Sequence, residues 1–206
     1  MKEKQVTQAI LDAAVKVFTQ KGKEGARMQE IADSAGVNKM LLHYYYKDKD
    51  TLFLEVLKKI VADLYGSVMD GAVEAPSFKA FLSTFIDRHF DFLNERKDTF
   101  QFLLWELSRQ KLDLKKLLAG SYAGDGRSPY EILTAKLNEA VQKGEIRPVD
   151  TAAFITNLFS LDLYLFVALP VIRNMTPLDE ADLPGILQRR KKEIFRLLWN
   201  DIKIQG

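Results

Sequence analysis

Apolar residues recur along the chain at intervals of three and four, which is the period of amphipathic α-helices, and no convincing alternating strand is present. The first stripe comprises Val6, Ile10, Ala13, Ala14, Val17 and Phe18, and it ends at Gly22 and Gly25. A later stripe comprises Leu52, Phe53, Val56, Leu57, Ile60 and Leu64. Continued to the C-terminus, this pattern predicts an all-α fold of about nine helices.

Residues suited to helix N-caps separate the apolar stripes. They are Asp48, Asp98, Ser128 and Asp150. Ser128 is followed by Pro129 and Glu131, which predicts a capping box with proline at the first helical position. Asp150 precedes a long apolar helix that Pro170 is expected to kink or end. A last amphipathic helix is predicted from about residue 182 to residue 202.

Residues 28–46 have the spacing of a helix-turn-helix. A short helix fits the sequence MQEIADSA, and another runs from Asn38 through three consecutive tyrosines. Ala32 is small where two helices cross, and Gly36 suits a left-handed turn between them. Leu42 is placed to dock the second helix on the first. Ordinary helical hairpins share these features, so spacing alone leaves both interpretations open.

The stretch ILDAAVKVFTQKGKEGARMQEIADSAGVNKMLLHYYYKDKDTLFLEVL, residues 10–57, resembles the N-terminal domain of the TetR family of transcriptional repressors over its full length. That family pattern is an amphipathic helix ending in Phe and Gly, an I-A-x-x-A-G-V turn, an aromatic-rich recognition helix and a Lys-containing start to the next helix. Two departures are Met40, where the family usually has a small residue, and Ala26 with Arg27, where it usually has Thr or Ser. Beyond residue 57, only the all-helical pattern and the sequence GEIRPVD look similar.

The resemblance implies a helix-turn-helix DNA-binding domain over residues 1–48. In such domains the recognition helix offers its N-terminal residues to base edges in the major groove, while flanking groups contact phosphates. The predicted DNA-binding residues are Arg27, Asn38, Lys39, Met40, His43, Tyr44, Tyr45 and Lys49. We expect Lys39 and Met40 at base edges, where Met40 either clashes in the groove or contacts a thymine methyl. Asn38 is expected either to read adenine or to cap its own helix. Tyr46 is expected to pack in the core.

The resemblance also implies a helical body over residues 49–206, joined to the first domain by the helix at 49–65, which binds a small molecule and dimerises through its last two helices. Candidate ligand contacts are Phe85, His89, Phe92, Trp105, Tyr122, Tyr130, Asp162 and Tyr164. Candidate dimer contacts are Ile186, Leu187, Ile194, Leu197 and Leu198. The adjoining run QRRKKE, residues 188–193, is predicted to be a solvated face. Aromatic residues at helical spacing also fit ordinary core packing, and Asp162 also fits a pairing across the dimer or a cap on a buried amide.

Composition and charge narrow the function. The chain has 206 residues, no cysteine and a net charge of +2, and residues 1–60 hold eleven Lys and Arg against eight Asp and Glu. This local excess suits an anionic partner, and the absence of cysteine suits a reducing cytoplasm. We find no nucleophile elbow and no dinucleotide fingerprint, and the two histidines are 46 residues apart, so neither an enzyme nor a bound cofactor or metal is expected.

One apolar segment, residues 152–172, is nearly long enough to cross a membrane. Asp162 at its centre would cost about 2.5–3.5 kcal/mol on an insertion scale, so a buried core helix is the preferred interpretation. The charged N-terminus is not expected to be a signal peptide.

The resemblance, together with these features, implies a cytoplasmic, bacterial transcriptional repressor that binds a near-palindromic double-stranded DNA operator as a homodimer and is released by a small-molecule inducer. The alternative is a helical DNA-binding or architectural factor that responds to no ligand, because both proteins need the same N-terminal domain.

Overall fold

The computed structural model describes residues 2–109, 126–175 and 182–204, and they form nine helices. The helices are α1 (Lys2–Gly25), α2 (Met28–Ala35), α3 (Lys39–Tyr45), α4 (Lys49–Met69), α5 (Phe78–Glu95), α6 (Lys97–Arg109), α7 (Pro129–Gln142), α8 (Thr151–Met175) and α9 (Leu183–Ile202). Pairing of β type within these residues is limited to one isolated antiparallel bridge, between Ile146 and Lys203. The predicted all-α class is confirmed.

The helices group into two compact units. The head unit consists of the described residues of Met1–Asp63 and Asp98–Gly126, and the body unit of those of Leu64–Lys97 and Arg127–Gly206. The head unit is built on one apolar cluster in which Ile10, Phe18, Ile31, Leu42 and Leu52 are fully buried. These residues come from α1 through α4, so the stripes read from the sequence converge on a common core.

The turn between α2 and α3 depends on Gly36. Its φ of 69° and ψ of 27° lie in the left-handed region, where a side chain is disfavoured. The amide of Val37 donates to the carbonyl of Ala32 at 3.0 Å, which closes the end of α2. Ala32 is fully buried. The helix-turn-helix spacing therefore corresponds to a real tight turn.

Most of the predicted caps are present. The backbone amide of Thr51 donates to Asp48 Oδ1 at 2.7 Å, and that of Ala153 donates to Asp150 Oδ1 at 2.9 Å. Ser128 forms the full capping box with Glu131. Each cap supplies an acceptor to an amide that has no partner within its helix. The hydrogen bonds from Thr51 lower the pKa of Asp48, which favours the ionised cap.

In the body unit, α8 packs against α5, α7 and α9. Of the two alternatives expected for Pro170, a kink or an end of the helix, the second is wrong, because the helix continues to Met175. Its segment Thr151–Leu169 is apolar and long enough to cross a membrane by composition alone. Core helices can be equally long and apolar, and the buried face of this helix carries Phe154, Leu158 and Phe166.

Two glycine substitutions should move the stability in opposite directions. We expect Gly36→Ala to lower the free energy of unfolding by about 1–2 kcal/mol, because alanine must adopt the left-handed conformation. Gly66 lies inside α4 with open space where a Cβ would be, so Gly66→Ala should raise the free energy of unfolding by about 0.5–1 kcal/mol. Urea unfolding followed by circular dichroism measures both, and a shift of the same sign in the two variants would contradict the assigned turn.

Candidate nucleic-acid interface and ligand site

The outward face of α3 carries four neighbouring exposed side chains. They are Lys39, Met40, His43 and Tyr44, with Met40 83% and Tyr44 78% exposed. Leu42 on the opposite face is fully buried against the head core. The helix therefore holds one apolar side inward and presents a cationic and aromatic surface of predicted DNA-binding residues.

Both ends of α3 are fixed. At its start, Asn38 Oδ1 accepts from the amide of Leu41 at 2.7 Å, so Asn38 caps its own helix. At its end, Tyr46 is 6% exposed and belongs to the head core, which confirms its expected packing role. Burial and the nearby charge of Glu55 raise the pKa of Tyr46 to about 12. Tyr45 packs partly against the same core and edge-on against Tyr44, with ring centroids 5.2 Å apart.

The remaining predicted phosphate ligands have different surroundings. His43 Nδ1 donates to the carbonyl of Lys47 at 3.2 Å. Lys49 Nζ lies 3.4 Å from the carbonyl oxygens of both Glu24 and Ala26, at the C-terminal end of α1. Its ammonium thus already joins two segments of the head. Arg27 is exposed at the N-cap of α2, where within the described residues its side chain makes no capping hydrogen bond.

The body unit contains one buried polar pair, His89 on α5 and Asp162 on α8. His89 Nδ1 donates to Asp162 Oδ2 at 2.9 Å, and the two residues are 2% and 0% exposed. Asp162 Oδ1 is buried without a hydrogen-bond partner among the described residues. Burial raises the pKa of Asp162, and the His89 hydrogen bond and the Arg190 charge oppose that shift. The carboxylate therefore pairs within its own chain.

Aromatic rings surround this pair. The His89 ring centroid lies 5.5 Å from that of Phe85 and 5.6 Å from that of Phe159. Phe159 was missed because it lies in a long, mainly apolar helix, where no single phenylalanine stands out. Phe92 is also buried on α5. The sequence-based candidates Phe85, His89 and Asp162 are thus brought together.

Three other candidate ligand contacts, Trp105, Tyr130 and Tyr164, are exposed. Trp105 is 60% exposed in the head unit, where Arg109 lies over its ring. Tyr130 and Tyr164 are 50% and 64% exposed in the body unit. Tyr122 lies outside the described residues. A polar tip on an aromatic residue suits an exposed position as well as a pocket wall, and the sequence pattern does not separate the two.

The predicted dimer residues on α9 differ in exposure. Leu187, Ile194 and Leu198 are buried within the chain itself, while Leu197 is 43% exposed and Ile186 partly exposed, so the α9 dimer face stays a prediction. The predicted solvated run is also interrupted. Lys191 is buried and its Nζ lies 2.5 Å from Asp91 Oδ1.

An exposed apolar stripe also lies on α8. It comprises Tyr164, Val167, Val171 and Met175, all more than half exposed. Their spacing of three, four and four places them on one side of the helix, roughly opposite the buried Asp162 and Phe166. The continuous apolar composition of α8 concealed this second face in the sequence.

The sequence similarity to known proteins is clearest in the head unit. Residues 10–56 match the model of bacterial regulatory proteins of the tetR family. The chain is 35% identical over 97 residues to the HTH-type transcriptional repressor SCO4008 of Streptomyces coelicolor, covering 47% of each protein. It is 28% identical over 142 residues to the HTH-type transcriptional regulator RutR of Escherichia coli K12, covering 69% of this chain and 65% of RutR. The matches therefore span about half of one relative and just under two thirds of the other.

The likeness in fold extends to the body. The transcriptional regulator FadR of Bacillus subtilis, solved in complex with stearoyl-CoA, superposes with a TM-score of 0.71 at 23% identity. The superposition covers 93% of this chain and 97% of FadR. At this identity the comparison establishes the fold, an N-terminal helix-turn-helix followed by a helical domain.

The shifted pKa of Asp162 predicts a pH-dependent effect of substitution. Because folding raises this pKa, the folded protein keeps a proton where the unfolded chain has released it, so the contribution of Asp162 to stability falls as the pH rises above about 4. Asp162→Asn removes this pH-dependent contribution to stability. The stability of the variant relative to the native chain, measured by urea unfolding, should therefore improve as the pH rises from about 4 towards the raised pKa of Asp162 in the folded protein. A change in the opposite direction would show that the charged carboxylate is the favoured form beside His89.

Proposed function

We propose that this chain, a member of the TetR family of helix-turn-helix transcriptional regulators, represses transcription by binding an operator through α3. The observation that carries the proposal is the outward face of α3, on which Lys39, His43 and Tyr44 stand exposed on a helix anchored at both ends. A seven-residue helix with one buried and one cationic and aromatic face fits the major groove, where cations and hydroxyls meet base edges and phosphates.

The proposed active form is a cytoplasmic homodimer on a near-palindromic site. A two-fold dimer presents two copies of α3, and half-sites about 34–36 Å apart place them in successive major grooves. The stripe on α8, with Leu197 of α9, supplies a candidate surface for the second subunit, since contiguous exposed apolar area often marks an interface.

We propose a small-molecule inducer that contacts the body near His89 and Asp162. Buried rings around a carboxylate oxygen with spare acceptor capacity suit an apolar ligand carrying a hydrogen-bond donor. Such a ligand would favour a dimer whose α3 helices no longer match the operator spacing. A 100-fold loss of DNA affinity requires about 2.7 kcal/mol of differential binding between the two states.

Selection of bound duplexes from a random DNA library tests the function. A consensus with two-fold symmetry is expected, and it supplies the probe for a ligand screen that includes stearoyl-CoA, the molecule bound by FadR. Absence of any enriched sequence at moderate salt would overturn the proposal. Operator binding that no ligand weakens would favour the ligand-independent factor.

Two cationic residues should act differently in that assay. Lys39→Ala is expected to cost about 1–3 kcal/mol of operator binding and to relax sequence preference, because a base contact is lost. Arg27→Gln should weaken all duplexes alike and reduce the salt slope by about 1 per subunit. Arg27 is a cleaner test of a phosphate contact than Lys49, which already contacts carbonyls of the head. Lys192→Gln, at an exposed lysine of the body unit, is the control and should change neither the affinity for DNA nor its salt dependence.

A charge on the α8 stripe should separate the subunits. Val171 is 58% exposed, so Val171→Glu is expected to fold but to be monomeric in sedimentation, with operator affinity reduced to that of a half-site. The matched control is Ala135→Glu, at an exposed position of α7, which should remain dimeric. A dimeric Val171→Glu variant would exclude this stripe as the interface.

A further inference from the structure

We infer that Met40 determines operator sequence by contacting the 5-methyl group of a thymine in each half-site. This inference rests on the proposed function and adds to it one residue, one base and one chemical group. Among the described residues, Met40 is the most exposed large apolar side chain, at 83%.

Met40 stands within the polar face of α3. It is the second residue of the helix, and His43 and Tyr44 lie three and four positions later on the same side. Lys39 precedes it, and all three neighbours are exposed. A thioether is therefore surrounded by groups that donate hydrogen bonds, on the surface expected to meet DNA.

The backbone at Met40 is held firmly. Asn38 caps the first turn of α3 by accepting from the amide of Leu41, and Leu42 is fully buried in the head core. The position of the Met40 Cα is thus set by the core, whereas its side chain remains free to adapt. Methionine has three rotatable bonds and a polarisable sulfur, which suit contact with a small apolar group.

Only one base edge offers such a group in the major groove. Guanine, cytosine and adenine present hydrogen-bond donors and acceptors there, while thymine adds its methyl to a single acceptor. A side chain without strong donors or acceptors gains no strong hydrogen bond from the other three bases and finds no methyl group on them. The chemistry of Met40 therefore selects thymine.

The test replaces thymine by uracil, which removes the methyl group and keeps every hydrogen-bonding atom. Each thymine of the selected operator is exchanged in turn, in one half-site and then in both. At one position per half-site we expect affinity to fall about fourfold, and about fifteenfold when both are exchanged, from the transfer free energy of one methyl-sized group. Met40→Ala should bind the thymine and uracil sites equally, whereas Met40→Leu should retain most of the preference.

Controls separate this inference from the proposed function. Ile204→Ala removes a side chain that is 54% exposed in the body unit and should leave the ratio of thymine to uracil affinity unchanged. Circular dichroism of Met40→Ala should match the native protein, because the residue contributes little to the core. If uracil has no effect at any position, or the same effect in Met40→Ala, Met40 does not read thymine, although operator binding stands. If no operator is recovered, the proposed function itself fails.

Discussion

The candidate DNA surface depends on docking a helix that is too short to persist alone. Seven residues form fewer than two turns, and isolated helices of that length are unstable in water because nucleation is costly. α3 exists because Leu42 is buried, Asn38 caps its first turn and Tyr46 packs beyond its last. The left-handed turn at Gly36 brings these anchors to the core formed with α1, α2 and α4. Every side chain on the outer face takes its position from those contacts.

The body unit combines an apolar bundle with a few buried polar groups that each require a partner. Asp162 has His89, and Lys191 has Asp91 with Asp87 nearby. Removing one member of such a pair leaves an uncompensated group in a poorly solvating interior. Asp162 differs because one carboxylate oxygen has no partner among the described residues. Structural pairing accounts for one oxygen, and the proposed ligand contact would use the other.

Local signals in the sequence predict caps and turns, whereas contacts between distant helices leave no local signal. The caps at Asp48, Ser128 and Asp150 and the turn at Gly36 follow from chemistry within four residues. The partner of Asp162 lies 73 residues away on another helix, so no local pattern reveals it. On α9, Leu187, Ile194 and Leu198 were assigned to a second subunit because periodicity shows that a face is apolar but not what covers it.

The helical class, the helix-turn-helix and the family resemblance of residues 10–57 can be predicted from the sequence, since each depends on spacing and capping within a short segment. The tertiary structure is needed to show which apolar faces are used internally. It buried one side of α9, left Tyr164, Val167, Val171 and Met175 exposed on α8, and joined His89 to Asp162. The physical reason is that hydrophobic burial is non-directional: an apolar stripe gains equally from its own bundle or from a partner, and the choice is made only when the helices pack.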